Sequence, residues 1–286
     1  MTNTARQTVR EAMMAGQWYP GTKEALSKMV AGFVSGAETA KVNGRIVSAI
    51  APHAGYVHSG RVAGYTYRAI RDGIGTNQLP ETVVVLGFTH RIGFSGVALM
   101  DGDAISTPLG MATLDKSASE ILMKGRPGIR ADYRPHGGEW SAENQIPFIQ
   151  AVLPDAKLVV ALFGDHDPGS IDEMVAGLKA LAETRRILVI ASSDMLHDAD
   201  YDLVSRTDRA TLRKVAEMDC KWVDGNWRMD RQIFCGVMPV LAAMRYAGSR
   251  GCKAGTVLYY RNNGDDDLSA RGQWVVGYGS VVFASE

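Results

Sequence analysis

The sequence predicts an α/β protein, a three-layer αβα sandwich built around a mostly parallel or mixed central sheet. Two observations carry this. Short β-branched runs recur along the chain, apolar on both alternations, as strands covered on both faces are. The stretches between several of them space their apolar residues as amphipathic helices do. In order, strands are expected over 45–51 (RIVSAIA), 82–86 (TVVVL), 157–163 (KLVVALF), 186–191 (RILVIA), 256–260 (TVLYY) and 274–283 (WVVGYGSVVF). Helices are expected over 61–71, 142–152, 171–181, 202–218 and 239–246. The last strand run holds two glycines and reads as a hairpin or a bulged edge strand.

The chain has 286 residues, near twice the ~150 typical of one domain. No linker rich in Pro, Gly or Ser divides it, so a single domain over 1–286 is expected. Lysine plus arginine equal aspartate plus glutamate at 31 each, which leaves no net field to draw a polyanion. Nucleic acid is therefore not an expected partner, and a small-molecule substrate is; a homo-oligomer stays open. The opening MTNTARQTVREAMMAGQWYP lacks the apolar segment of a secretion signal. No run of ~18 apolar residues occurs, so no membrane contact is expected. Three cysteines, an odd number without framework spacing, fit reduced thiols in a cytoplasmic protein.

Open α/β sheets bind ligands beyond the carboxyl ends of their strands. His53 follows the first predicted strand, His90 the second, and Asp194 with His197 the one at 186–191. A lone histidine is more often a hydrogen-bonded structural residue. Three at equivalent strand ends converge in space and point to a His-containing site. Cys235 stands before Gly236 and Pro239, close to an expected helix start, where the dipole favours thiolate. Its bland alternative is a small buried hydrophobe, and Cys220 and Cys252 keep that reading. Two imidazoles and a thiolate suit copper, iron(II) or zinc and leave a coordination position open. Asp194 and His197 read as a carboxylate orienting an imidazole, or else as a turn cap and its neighbour. His58 reads as a rim residue, and His136 and His166 as exposed turn residues. Trp18 belongs to the core or to a pocket wall. Dinucleotide, P-loop, nucleophile-elbow, HExxH and CxxC patterns are missing.

Taken in order, AGQWYP (15–20), APHAGY (51–56), LGFTH (86–90), TPLG (107–110), EWSAENQIPF (139–148), SSD with His197 (192–197) and Cys235-Gly236 resemble the Memo family. Its prokaryotic members are called AmmeMemoRadiSam system protein B. The resemblance implies a fold like that of the LigB-type class III extradiol dioxygenases. It implies metal ligation by His53, His90 and Cys235, with iron(II) or copper ahead of zinc. It implies catalytic roles for His197 and Asp194, and a pocket formed with Trp140, Tyr56, Trp18 and Glu143. Where the family usually has Glu-His-Ser, this chain has Glu139-Trp140-Ser141. His136 lies four residues upstream as a candidate substitute. Three functions follow: a non-haem iron or copper oxidoreductase with an altered pocket, a non-catalytic metal-binding or interaction protein, and last a zinc hydrolase.

Overall fold

The computed structural model describes residues 8–73 and 79–285; residues 1–7, at the head of the segment screened for a secretion signal, lie outside them. The strands are β1 (Val9–Glu11), β2 (Arg45–Ala51), β3 (Thr82–Phe88), β4 (Val97–Leu99), β5 (Ala104–Thr107) and β6 (Gly110–Thr113). They continue with β7 (Ile129–Ala131), β8 (Lys157–Phe163), β9 (Ile187–Ser192), β10 (His197–Asp198), β11 (Gly255–Asn262) and β12 (Val275–Ser285). The helices are α1 (Lys23–Gly36), α2 (Tyr56–Gly73), α3 (Lys116–Met123), α4 (Ile146–Val152) and α5 (Pro168–Ala182). They end with α6 (Tyr201–Ala216), α7 (Cys220–Asn226), α8 (Val237–Ser249) and α9 (Asn263–Asp266).

The large sheet runs β10-β12-β2-β9-β3-β8-β4-β7, with β11 also on β12; β1, β5 and β6 form a small second sheet. Its heart, β2-β9-β3-β8, is parallel, while β12 and β4 join antiparallel on either side. Successive side chains of a strand face opposite ways, so both alternations must be apolar where helices cover both faces. Val84, Leu86, Val159 and Ala161 point into the layer of α3, α5 and α8. Val83, Val85, Leu158 and Val160 point into the layer of α1, α2 and α4. The sheet is thus mixed, mostly parallel and flanked by helices, as the sequence predicts.

The run at 274–283 is neither a hairpin nor an edge. It is one strand, β12, inside the sheet, hydrogen-bonded to β2, β11 and β10. A bulge between Phe283 and Ala284 is its one irregularity against β2. Its glycines serve close packing instead. A Cβ on Gly277 would collide with the Asp208 carboxylate of α6.

Asp208 is fully buried, where Oδ2 accepts from Tyr260 Oη (2.9 Å) and Oδ1 from the Leu196 amide (3.2 Å). Burial pushes its carboxyl up to about 7, and those two donors only partly offset it. The unfolded chain releases this proton near pH ~3.9 but the folded chain keeps it to about 7, so its contribution to stability is full below the former and lost as pH rises through the latter. Asp208→Asn should therefore gain on the wild type as pH rises from about 4 to about 7 and level off above, by at most about 4 kcal/mol. Denaturant titrations of both proteins across that range test this; a pH-independent difference would show that Asp208 does not hold the proton.

Candidate metal centre

Each of three strands of the parallel heart ends two residues before a polar side chain: β2 before His53, β3 before His90, β9 before Asp194. Parallel register keeps those ends together, with Ala51 opposite Ser192 and Leu86 opposite Ala191. Cys235 arrives from the other direction, on the segment entering α8. His53 Nε2 lies 3.2 Å from Cys235 Sγ, the two imidazole rings are 5.3 Å apart edge to face, and one donor atom from each of the three residues falls within 4.8 Å of the others. His53 and Cys235 are buried, whereas 23% of the His90 side chain stays exposed.

The backbone is fixed around this trio by Asp194. Its Oδ1 accepts from the amides of His53 (2.7 Å) and Ala54 (3.2 Å), and its main-chain carbonyl accepts from the Cys235 amide (3.2 Å). Asn144 donates to the His53 carbonyl (2.6 Å), and Gln145 to the Pro52 carbonyl (2.9 Å) and Ser192 Oγ (2.7 Å). The rings are held as well. His53 Nδ1 meets Ser192 Oγ at 3.2 Å, and His90 Nδ1 meets Glu139 Oε1 at 3.0 Å. The Glu139 carboxylate also takes the amides of His90 (2.6 Å), Trp140 (3.0 Å) and Ser141 (2.9 Å). A Cβ on Gly87 would strike Ser141 Oγ at 2.6 Å, so glycine there lets this loop close on the end of β3.

Charge follows geometry. Burial alone would raise the Cys235 thiol, but the charge of His53 and hydrogen bonds from both imidazoles bring it down to about 5. Burial alone would lower His90, but hydrogen bonds to Cys235 and Glu139, and their charges, push it up to about 10. His53 is likewise raised against its own burial by Cys235 and Asp194. Glu139 is held down at about 2, its burial outweighed by its bonds to and the charge of His90. The thiolate owes its stability to these imidazoles; no helix-dipole effect is needed.

A cavity of about 630 Å³ opens onto the two imidazoles. Trp18, Tyr56, Trp140, Asp194 and His197 line it, as does His58 at its exposed edge. Cys235 lies behind the rings, off the wall, and so does Glu143. Glu143 is 2% exposed and spent on structure: it pairs with Arg10 (2.6 Å), accepts from the amides of Met13 and Met14, and from Tyr19 Oη (2.8 Å). It pins residues 10–19 to the body of the protein and so places Trp18. The carboxylate–imidazole pair expected between Asp194 and His197 does not form: Asp194 Oδ1 accepts from backbone amides, and His197 is paired into β10 against β12. His197 instead opens β10, its ring edge-on to Trp274 at 5.7 Å and its buried Nε2 without a partner.

Two other histidines are not where their sequence setting places them. His136 is buried rather than exposed, its Nε2 against the Ala98 carbonyl (3.1 Å) and its own carbonyl held by Arg10. Burial and the Arg10 charge hold it down at about 4. It cannot stand in for an imidazole at 140. His166 is half-buried, between Phe88 (4.5 Å) and Trp227 (4.1 Å).

The family model described as Memo-like protein matches residues 10–282. The chain belongs to the Memo-like protein family. A MEMO1 family protein of Methanopyrus kandleri is 32% identical over 284 residues, covering 96% of this chain and 98% of that protein. One of Archaeoglobus fulgidus is 32% identical over 279 residues (96% and 99%), and one of Nitrosopumilus maritimus 29% over 282 (96% and 99%). Among solved structures, an uncharacterized Escherichia coli K12 protein matches with TM-score 0.54 at 13% identity, covering 82% of this chain and 99% of its own. That likeness concerns the fold alone.

In this Memo-like chain the trio fits a metal ion by its donor chemistry. Ligand atoms around a four-coordinate ion with bonds of ~2.0–2.3 Å lie roughly 3.3–3.7 Å apart, and the trio approaches that spacing. Each ring's Nδ1 is engaged by an oxygen, the arrangement that presents Nε2 to a metal. Glu139, Ser192, Asn144 and Gln145 are the members of the site that sequence reasoning leaves without a role. Glu139 had one signal, its place beside Trp140 in the resembling motif.

Cys235→Ala should abolish most metal binding by the purified protein, while Cys220→Ala and Cys252→Ala should not; elemental analysis of the three decides, and equal retention would refute the site. Glu139→Gln should weaken binding by roughly 10–100-fold, through loss of the His90 anchor. A metal must displace the protons that Cys235 and Glu139 hold on the imidazoles, so affinity should climb with pH between about 5 and 8 and loading should release protons. A flat affinity over that range would count against a His/Cys site.

Proposed function

We propose that the protein is a metal-dependent oxidoreductase that holds one iron(II) or copper ion at His53, His90 and Cys235 and acts on a small-molecule substrate in the aromatic cavity. The observation that supports it best is the convergence of three donor atoms within 4.8 Å, two of them on imidazoles that line that cavity. Two imidazoles and a thiolate form a soft set that favours iron(II) or copper, zinc ranking behind, and three ligands leave room for a fourth. A bound ion of this kind supplies redox and Lewis-acid chemistry.

The chain's own residues have separable tasks. Glu139 and Ser192 hold the two imidazoles in one orientation. Trp140 stacks on His90 at 4.7 Å and 21°, and Trp18 leans on Trp140 at 5.0 Å, so an aromatic wall shields the site from water. His197 lines the cavity, and an imidazole there can take or give a proton. Asp194 Oδ2 lies 4.0 Å from His53 Nε2 and faces the same space. The alternation of elements and the strand-end site agree with kinship to the LigB-type class III extradiol dioxygenases, in which we place the reaction. Three free cysteines and the lack, among described residues, of a helix long and apolar enough to cross a membrane agree with a cytoplasmic protein.

Trp140 favours a second reading. An indole has one N–H donor and no acceptor, so it cannot relay a proton as an imidazole in its place would. A protein that keeps the metal without turnover would tolerate that change. Oxygen uptake by the iron(II)-loaded protein against a panel of small aromatic substrates separates the two. The oxidoreductase reading expects uptake with at least one substrate and a fall of roughly 10²–10⁴-fold in His197→Ala. It expects simple catechols to be poor substrates, improved by Trp140→His. Uptake indistinguishable from free iron(II) with every substrate would leave the non-catalytic reading standing.

A further inference from the structure

A second cavity, of about 290 Å³, lies at the opposite, amino end of the central strands. The seven residues of β2 separate it from His53, so at ~3.3 Å per residue the two sites stand roughly 20 Å apart. β2 and β9 begin at it, α5 and α8 end beside it, and Arg45 faces Ser285 of β12 in register. Its charged lining is Arg45, Arg185, Arg186 and Arg250 against Glu81 and Glu183. The four guanidiniums are not equally engaged. Arg185 is committed elsewhere, to Asp115 Oδ2 (2.8 Å) and Ser117 Oγ (3.2 Å). Arg186 Nε donates to the Leu79 carbonyl (2.9 Å), and its Nη2 stands 3.6 Å from Glu81. Arg250 Nη1 stands 3.6 Å from Glu183, beyond hydrogen-bond distance. Half-buried Arg45 uses only its main chain, whose carbonyl accepts from Ser285 Oγ (3.5 Å); its guanidinium has no partner among the described residues. Between them Tyr246 lines the cavity at 2% exposure, its hydroxyl also without a partner among the described residues. Burial pushes that phenol up to about 12 against the charges of Arg250 and Arg45, which are therefore close enough to act on it.

Arginines at helix ends often serve the last carbonyls. Here backbone amides do that work: the Leu181 carbonyl accepts from Thr184 and Arg185, and those of Tyr246 and Ala247 accept from Arg250. None of the four guanidiniums donates to them. Two uncommitted guanidiniums and a buried hydroxyl instead converge from the start of β2 and the end of α8, and all three are donors without acceptors. A planar guanidinium matches the oxygens of a phosphate in pairs, and a phosphate has oxygens enough for three donor groups at once. The two carboxylates stand at the solvent edge, 50% and 78% exposed, where water damps their repulsion. We propose that this cavity binds the phosphate group of a small molecule, either the free ion or a phosphate monoester, on Arg45, Arg250 and the Tyr246 hydroxyl. Its volume sits at the lower bound of ~300 Å³ for small-molecule pockets, which suits a compact ligand. The hydroxyls of an ester's body would find acceptors in Glu81 and Glu183.

Calorimetric titrations of inorganic phosphate and of glycerol 3-phosphate into chelator-treated protein test it, with glycerol as the uncharged control. Both phosphates should bind and glycerol should not. Arg45→Gln and Arg250→Gln should each weaken phosphate about tenfold or more, the loss of one charge-assisted contact. Tyr246→Phe, which removes one oxygen and keeps the ring in place, should weaken it roughly two- to tenfold. All three variants should take up metal as the wild type does, because the metal centre lies at the other end of the sheet. Tighter binding of the ester would assign the site to a phosphate monoester, and equal or tighter binding of phosphate to the free ion. No heat at millimolar phosphate, or unchanged affinity in the two arginine variants, would overturn the proposal. Loss of phosphate binding together with metal uptake would place the ion at the metal centre and overturn it as well.

Discussion

Asp194 is the residue on which the site depends. A single side chain at the end of β9 accepts the amides of His53 and Ala54, and the carbonyl of the same residue accepts the amide of Cys235. The backbones of His53 and Cys235, 182 positions apart in the chain, are thereby referred to one point. The geometry is available because β2 and β9 run parallel and in register, so their ends emerge side by side. Buried amides left without such an acceptor would each cost about 1–3 kcal/mol, which is why the arrangement resists loosening.

His90, the third member of the trio, is held by different means. His90 sits at the end of β3, with its amide and its Nδ1 both on Glu139. Glu139 and Glu143, in one short loop, divide two tasks between them. The former faces the imidazole; the latter faces the N-terminal segment and its Arg10. Each is a buried carboxylate saturated by four or more donors, so each acts as a rigid joint. Trp140, between them, inherits its position from both and from its stack on His90.

The sequence announces the sheet because fully covered strands leave no polar alternation, and β2 and β8 match their expected limits residue for residue. Strands of three or four residues such as β4 to β7 are too short to show a period. Helix α1 is missed because its buried stripe is only Leu26, Val30 and Val34. At the site, strand-end position and family resemblance together single out His53, His90 and Cys235. Partnerships are harder. Three positions between Asp194 and His197 suggested a pair, but one carboxylate oxygen is held by amides distant in sequence and His197 is paired into β10 against β12. The glycines after His136 suggested an exposed turn, yet Arg10, from 126 positions away, folds over it. Such facts are set by packing between remote segments, which no local pattern encodes.

The saturation of Glu143 by residues 10–19 also orders events on the ribosome. The N-terminal segment emerges first, but its anchor lies 124 to 133 positions later, so Trp18 cannot take its place in the wall until the middle of the chain is made. Cys235 follows later still, and after it β12, which brings Val276 and Tyr278 to the cavity and covers the open side of β2. Long-range closures of this kind slow folding and leave strand edges bare while synthesis continues. A nascent chain therefore carries both histidines long before the cysteine that joins them, and the cavity they open onto is closed later still.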